Sequence, residues 1–199
     1  MNIEIIALGE FLMNYEKDLG FISELNSIFN GQPKKSKPKA SEIEIFRKFL
    51  IDFNTVRSFK NDKTDIIFKV CKGYITTHQG NLSPDELASL LKADKDINIH
   101  LLSLASKVIA FYDPVKYIPL DSLNRKALSS KAASYSDFKR IVDELKNDVV
   151  FMKQIKHLDS IVAPLVKDME KNMSLKGHNF NTIRQNRLID KFLRIQTKK

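Results

Sequence analysis

The sequence predicts an all-α domain in which several helices surround one buried central helix. Apolar residues recur every three or four positions through most of the 199 residues, which is the period of an amphipathic helix. Glycine and proline occur only six times each, so long segments run without the residues that break helices. Hydrophobic residues make up 43% of the chain, enough for a buried core, and the length suits a single domain over residues 1–199.

The central helix is predicted over residues 97–112. This segment is apolar on nearly every face, and a helix of that kind belongs inside a protein with other helices packed around it. Pro114 and Pro119 then end the helix and stiffen a connector. Asp121 follows at the start of another helix, which we expect to continue to about Ala133.

Four helices are predicted before the central one. A long helix covers residues 3–29, with Gly20 as a candidate break. A flexible loop over 31–40, rich in lysine and proline, follows it, either as a plain linker or as a basic segment that touches phosphate. The other three are a helix capped by Ser41 and Glu44, one from Asp62 to Thr77, and a short one that begins at Pro84 after the Ser83 cap.

Three helices are predicted after Ala133. Ser136 caps the first, and the second covers residues 149–173 with Pro164 as a kink or boundary. The third is a basic C-terminal helix over 181–196, whose apolar residues lie on or near one face. Its other faces carry four cations, which we expect to bind nucleic acid: Arg184, Arg187, Lys191 and Arg194.

The net charge of +9 is concentrated near the C-terminus. Eight Lys or Arg residues and a single acid, Asp190, lie between Lys171 and Lys199. A clustered positive charge favours a polyanionic partner, with nucleic acid as the first candidate and an anionic membrane surface as the second. No uncharged apolar run is long enough to span a bilayer, and the N-terminus lacks the pattern of a signal peptide. We therefore expect a cytoplasmic protein with no membrane partner.

Several kinds of site are disfavoured by the sequence. Cys71 is the only cysteine, so neither an intrachain disulfide nor a cysteine-based zinc site can form. The four histidines lie far apart in sequence, and His100 is expected to be a core residue rather than a ligand. The chain has no glycine-rich phosphate loop and no GxSxG motif. We expect no metal and no cofactor.

One sequence order points to a known family. The segments SPDELASLL and LASKVIAF are followed by Ile118-Pro119-Leu120-Asp121 and then by Asn124-Arg125-Lys126. This order resembles the helix-hairpin-helix DNA glycosylase superfamily, over about a quarter to a third of the chain. The hairpin of that family is rich in glycine, whereas this chain has none between Leu91 and Ser106. The resemblance therefore implies a glycosylase-like fold in which the DNA-binding hairpin is either missing or remodelled.

The resemblance implies that Asp121 is the catalytic aspartate, and it favours DNA over RNA as the partner without excluding RNA. Arg125 and Lys126 would face phosphate, and Lys107 would join them as a nucleic-acid contact. Lyase-type members place a lysine at the end of the hairpin, a position that falls near Ser103 here. Lys107 lies about one helical turn later, so we expect base release by hydrolysis without lyase activity.

Other interpretations remain open from the sequence. An ordinary helix N-cap, a common role for aspartate, is the simpler explanation of Asp121, and a non-catalytic binding role is a third. The protein could be a non-enzymatic module that binds nucleic acid through its C-terminal helix, or a protein-interaction domain whose charge serves solubility. A glycosylase requires a pocket beside Asp121, lined by aromatic residues such as Phe111, Tyr112 or Tyr117.

Overall fold

The computed structural model describes residues 2–30, 39–55, 63–128, 133–173 and 179–196. All regular structure within these ranges is helical, and the predicted all-α class is confirmed. The helices are α1 (Ile3–Phe29), α2 (Ala40–Asp52), α3 (Thr64–Thr77), α4 (Pro84–Ala93), α5 (Leu102–Tyr112), α6 (Ser122–Ala127), α7 (Tyr135–Asn147), α8 (Val149–Asn172) and α9 (Phe180–Gln196). Most of the predicted loop over 31–40 lies outside the described residues.

Helix α1 is continuous through Gly20, which the sequence analysis gave as a candidate break between two shorter helices. Asn2 caps it, since the Asn2 side chain accepts a hydrogen bond from the Glu4 N–H at 2.9 Å. A buried stripe runs along its whole length, from Ala7 to Phe29, and packs against the same core on both sides of Gly20. Burial of that stripe keeps the helix intact, because the glycine costs only about 1 kcal/mol.

A cluster of phenylalanine rings joins α1, α2, α3 and α5. Phe29 of α1 stacks on Phe68 of α3 with ring centroids 5.8 Å apart. Phe49 of α2 contacts Phe111 of α5 edge to face at 5.4 Å. Such pairs add about 0.5–1.5 kcal/mol each beyond the area they bury. The central helix is therefore fixed against the N-terminal half of the chain by aromatic contacts.

Helices α4 and α5 form a helical hairpin, and its turn shortens the predicted central helix. The segment 97–101 is not helical, and α5 begins at Leu102. Asp94 stabilises the turn, because its Oδ1 accepts hydrogen bonds from the N–H groups of Asp96 and Ile97. Asn98 has a φ of 45°, a left-handed conformation that usually calls for glycine. Asparagine adopts this conformation more readily than most residues that carry a side chain.

Helix α9 is a second central helix, packed between α1, α6 and α8. Sequence analysis placed apolar residues on one face and cations on the others. Instead nearly every face is buried, and this includes Arg187 at 4% exposure and Lys191 at 3%. The reason is that apolar residues also occupy the remaining faces, for example Ile189 and Leu193, so neighbouring helices cover all sides.

Two helix boundaries differ from the predicted ones because a neighbouring residue provides the cap. Helix α2 begins at Ala40 rather than after Ser41, with the Lys39 N–H donating to Glu42 Oε2 at 3.2 Å. Helix α7 is capped by Ser134 rather than Ser136. The Ser136 N–H instead donates to Asp85 on α4. Helix α6 ends at Ala127, and α8 passes through Pro164 without interruption.

Candidate active site

Asp121 lies at the N-cap of α6. Its Oδ1 accepts hydrogen bonds from the N–H groups of Leu123 at 2.9 Å and Asn124 at 2.8 Å. Its Oδ2 lies 3.6 Å from Nε of Arg194 on α9, and the side chain is 16% exposed. The N-terminal N–H groups of a helix favour a negative charge at this position. The carboxylate is thus held by its own backbone through one oxygen and faces a guanidinium with the other.

Hydrogen bonds from α5 and α6 fix the connector that carries Asp121. Ser106 Oγ donates to the Leu120 carbonyl at 3.0 Å and accepts from the Leu120 N–H at 3.1 Å. The side-chain amide of Asn124 donates to the Pro119 carbonyl at 2.9 Å. These groups are buried, where each unpaired polar group would cost about 1–3 kcal/mol. These hydrogen bonds hold the connector before Asp121, and the N-cap hydrogen bonds join Asp121 to the helix that follows, so the position of Asp121 is fixed.

A cavity of about 540 Å³ opens beside Asp121. Its walls come from the C-terminal end of α2 with residues 53–55, the segment 100–104, Lys107 of α5, the start of α6, and Arg194 of α9. Pockets for small ligands measure roughly 300–1,000 Å³, so this cavity has the volume of a small-molecule site. Asp121 therefore lies in a concave region of the surface.

Cationic side chains line this cavity together with Asp121. Lys107, Arg125 and Arg194 belong to the lining, and all three were predicted nucleic-acid contacts. Lys107 Nζ donates to the Phe53 carbonyl at 3.0 Å. Burial lowers the pKa of the Lys107 ammonium below its usual range, although the Asp121 and Asp190 carboxylates act in the opposite direction. The sequence order alone did not indicate that Lys107 and Asp121 would share one cavity.

The remaining predicted contacts on α9 lie elsewhere, in internal ion pairs. Arg184 donates to Asp159 Oδ1 at 2.6 Å and to Glu170 Oε2 at 2.8 Å. Arg187 Nη2 donates to Asp18 Oδ2 at 2.6 Å, and Lys191 Nζ lies 3.8 Å from that oxygen. Arg187 and Lys191 therefore neutralise buried acids and offer no surface to a partner in this fold.

Lys126, the last predicted contact, is exposed on α6 and does not line the cavity. Its neighbour Arg125 does line it, so consecutive residues point to different surroundings. That Lys126 contacts phosphate remains a prediction, and the contact would lie on the outer surface of α6, outside the cavity.

The aromatic wall differs from the one expected. Phe53 lines the cavity, whereas Phe111 is buried in the ring cluster beneath it, with the two ring centroids 4.5 Å apart. The hydroxyls of the two tyrosines donate elsewhere, from Tyr112 to Asn30 Oδ1 and from Tyr117 to the Leu82 carbonyl. None of the three aromatic residues named from the sequence belongs to the described lining of the cavity. Phe111 is in the core, and the two tyrosines form hydrogen bonds elsewhere.

Two site residues escaped the sequence analysis. His100, expected in the core, is exposed and lines the cavity, because residues 97–101 form a turn instead of a helix. Asn124 is fully buried, and its amide also donates to Asp190 Oδ1 at 2.8 Å. The signal for Asn124 was its position three residues after an N-cap aspartate, inside a short helix that begins at a proline connector.

Within the described ranges, no three His, Cys, Asp or Glu residues are grouped so that they could hold a metal ion. No helix in the same part of the chain is both long and apolar enough to cross a membrane. A comparison with protein-family models, curated proteins and solved structures found no match to this chain.

Proposed function

We propose that this protein binds DNA and hydrolyses the N-glycosidic bond of a nucleotide turned out of the duplex into the Asp121 cavity. The observation that carries the proposal is a carboxylate held at the edge of a cavity of about 540 Å³ with three cations around it. An enzyme that acts on a base must take it out of the stack, which costs a few kcal/mol and requires such a cavity. The resemblance in sequence points to the same chemistry.

Asp121 would act on the sugar. As the bond between C1′ and the base nitrogen breaks, its electron pair leaves with the base and positive charge develops on the sugar ring. A fixed carboxylate stabilises that charge and orients a water molecule, whose oxygen forms the new bond to C1′. The proton lost by this water passes to the carboxylate or to solvent. Because capping uses only Oδ1, Oδ2 is the oxygen for this task.

Cations around the cavity would bind the phosphates that flank the extruded nucleotide. Arg125 and Arg194 extend from two helices that meet at Asp121, and Lys126 adds a charge on the outer surface of α6. Each phosphate contact releases counterions, so three to four contacts predict that affinity falls with roughly the third to fourth power of salt concentration. A weak dependence on salt would speak for a protein-interaction domain.

The decisive experiment incubates the protein with duplexes that carry a panel of modified bases and measures abasic sites. We expect Asp121→Asn to abolish base release while it retains duplex binding, because asparagine is also a good N-cap. Asp148→Asn is the matched control, since Asp148 caps α8 with the same pattern of hydrogen bonds to Val150 and Phe151. Base release that persists in the folded Asp121→Asn variant would show that Asp121 serves only as a cap.

The non-enzymatic alternative has less support than it had from the sequence. It relied on the C-terminal helix as an exposed basic face, and two of the four cations on that helix are buried. A nucleic-acid binder without activity would still use Arg125 and Lys126. It would show steep salt dependence and no abasic product with any base on the panel.

A further inference from the structure

The cavity beside Asp121 carries more positive than negative charge. Lys107, Arg125 and Arg194 line it, and Asp121 is the acid among the described lining residues. Asp121 Oδ1 accepts two backbone N–H groups, and Arg194 is the lining cation that lies beside Oδ2, at 3.6 Å. The charge that remains for a ligand is therefore the positive charge of Lys107 and Arg125.

Neither of these two cations forms an ion pair with a carboxylate of the described residues. Lys107 donates its hydrogen bond to a neutral acceptor, the Phe53 carbonyl. Across the described ranges, no ion pair joins Lys107 or Arg125 to a carboxylate. Burial lowers the pKa of Lys107, which indicates that the ammonium group is poorly hydrated. Charges in such surroundings are weakly screened, so a ligand in the cavity experiences them strongly.

The described lining of the cavity offers a cationic ligand little open aromatic surface. Phe53 is the aromatic residue among the described lining residues, and the Lys17 ammonium already lies 5.8 Å from its ring centroid. Its ring packs against Phe49 and Phe111 in the core. A base with a fixed positive charge is bound best by the faces of aromatic rings. Phe53 is the one phenylalanine, tyrosine or tryptophan in the described lining.

We infer that the cavity selects nucleobases that are neutral when bound and excludes bases with a fixed positive charge, such as N-alkylated purines. This inference rests on the proposed function. A neutral base takes the electron pair of the broken bond and departs as an anion, which Lys107 and Arg125 stabilise. An alkylated purine is repelled on entry and departs as a neutral molecule, so the two cations offer it no stabilisation in the transition state.

The test compares duplexes that differ only in the modified base. Uracil, hypoxanthine and 8-oxoguanine represent neutral bases, and N7-methylguanine and N3-methyladenine represent cationic ones. Single-turnover rates of base release are divided by the uncatalysed rates, because alkylated purines also leave unaided. We expect acceleration of at least one neutral base that exceeds that of both cationic bases by about tenfold or more. Equal or greater acceleration of a cationic base overturns the inference.

Variants of the two cations test the cause. Lys107→Met and Arg125→Gln should each lower release of the neutral base by about tenfold and narrow its advantage over the cationic bases. Lys153→Met is the matched control, since Lys153 is exposed on α8 away from the cavity, and it should change neither rate. If the ratio of the acceleration for the neutral base to that for the cationic bases is unchanged in both cavity variants, Lys107 and Arg125 do not cause the preference for neutral bases.

Binding separates this inference from the proposed function. If no base is released from any duplex, the proposed hydrolysis fails. Fluorescence anisotropy of the native protein with the same duplexes then decides the charge preference. Tighter binding of a duplex with a neutral modified base supports the inference, and equal or tighter binding of a cationic one overturns it.

Discussion

The side-chain amide of Asn124 donates a 2.8 Å hydrogen bond to Asp190 Oδ1, and this contact ties the short helix α6 to α9. The backbone N–H of the same asparagine donates to Asp121 Oδ1. Asp190 lies within 3.7 Å of both Arg187 and Lys191. Burial opposes the charged form of Asp190, but these cations prevail and hold its pKa below the ordinary value. One residue thus joins the candidate catalytic carboxylate to a buried cluster of charges.

Replacing that residue should loosen α6. We expect Asn124→Leu to lower the free energy of unfolding by about 2–4 kcal/mol, because Asp190 and the Pro119 carbonyl each lose a buried donor. Urea unfolding followed by circular dichroism measures the change. Gln154→Leu, an exposed polar-to-apolar change on α8, should stay within about 0.5 kcal/mol of the native protein. Equal effects of the two substitutions would refute a structural role for the Asn124 amide.

The pair Arg187–Asp18 should behave as a buried ion pair. Arg187→Met alone leaves Asp18 short of a partner in the core, and we expect a loss of about 3–5 kcal/mol in the free energy of unfolding. The double variant Asp18→Leu/Arg187→Met removes both charges and should recover most of that loss. Lys191 keeps a partner in Asp190.

A double-mutant cycle in guanidinium chloride checks this expectation. Additive effects of the two substitutions would contradict the ion-pair account. A variant at Arg187 with native stability and weakened DNA binding would instead restore the prediction that Arg187 contacts nucleic acid.

Lys107 should make stability depend on pH in the alkaline range. Burial lowers its folded pKa, while its unfolded pKa is about 10.4, so at pH 7 the native state bears the cost of a poorly hydrated charge. As pH rises from the folded pKa toward about 10.4, the native state loses its proton first and the cost disappears. Lys107→Met should therefore be more stable than the native protein at pH 7, by about 0.5–2 kcal/mol.

That advantage should shrink as pH approaches about 10.4, which urea midpoints measured between pH 7 and 10.5 will show. A difference that stays constant over this range would mean that the substitution acts through packing alone.

Much of this fold could be predicted from local patterns. The Ser83 cap with Pro84, the apolar run of α5 and the proline connector before Asp121 are determined by neighbours in sequence. A helix formed in each of these segments, although α5 begins at Leu102 and α6 ends at Ala127. The turn before α5 was missed because Ile97 and Leu101 are apolar and match a helical period. The turn forms because the Asp94 carboxylate accepts hydrogen bonds from the N–H groups of the residues two and three positions later.

The surroundings of α9 could not be predicted in the same way. A helix with apolar residues and cations on adjacent faces can lie at the surface, or it can be buried with its cations paired to carboxylates. The sequence pattern is the same in both cases. The partner of Arg187 is Asp18, which lies 169 residues earlier in the chain, and no local pattern connects the two. The cavity was beyond prediction for the same reason, since it brings together the end of α2, the start of α5 and the end of α9.

The packing of α9 between α1 and its other neighbours also has a consequence for biosynthesis. Asp18 leaves the ribosome long before Arg187, and at roughly 5–20 residues per second the interval of 169 residues lasts on the order of ten to thirty seconds. Throughout that interval the apolar side of α1 and an uncompensated carboxylate lack the helix that will cover them. The nascent chain should therefore be a strong client of chaperones until its last helix emerges.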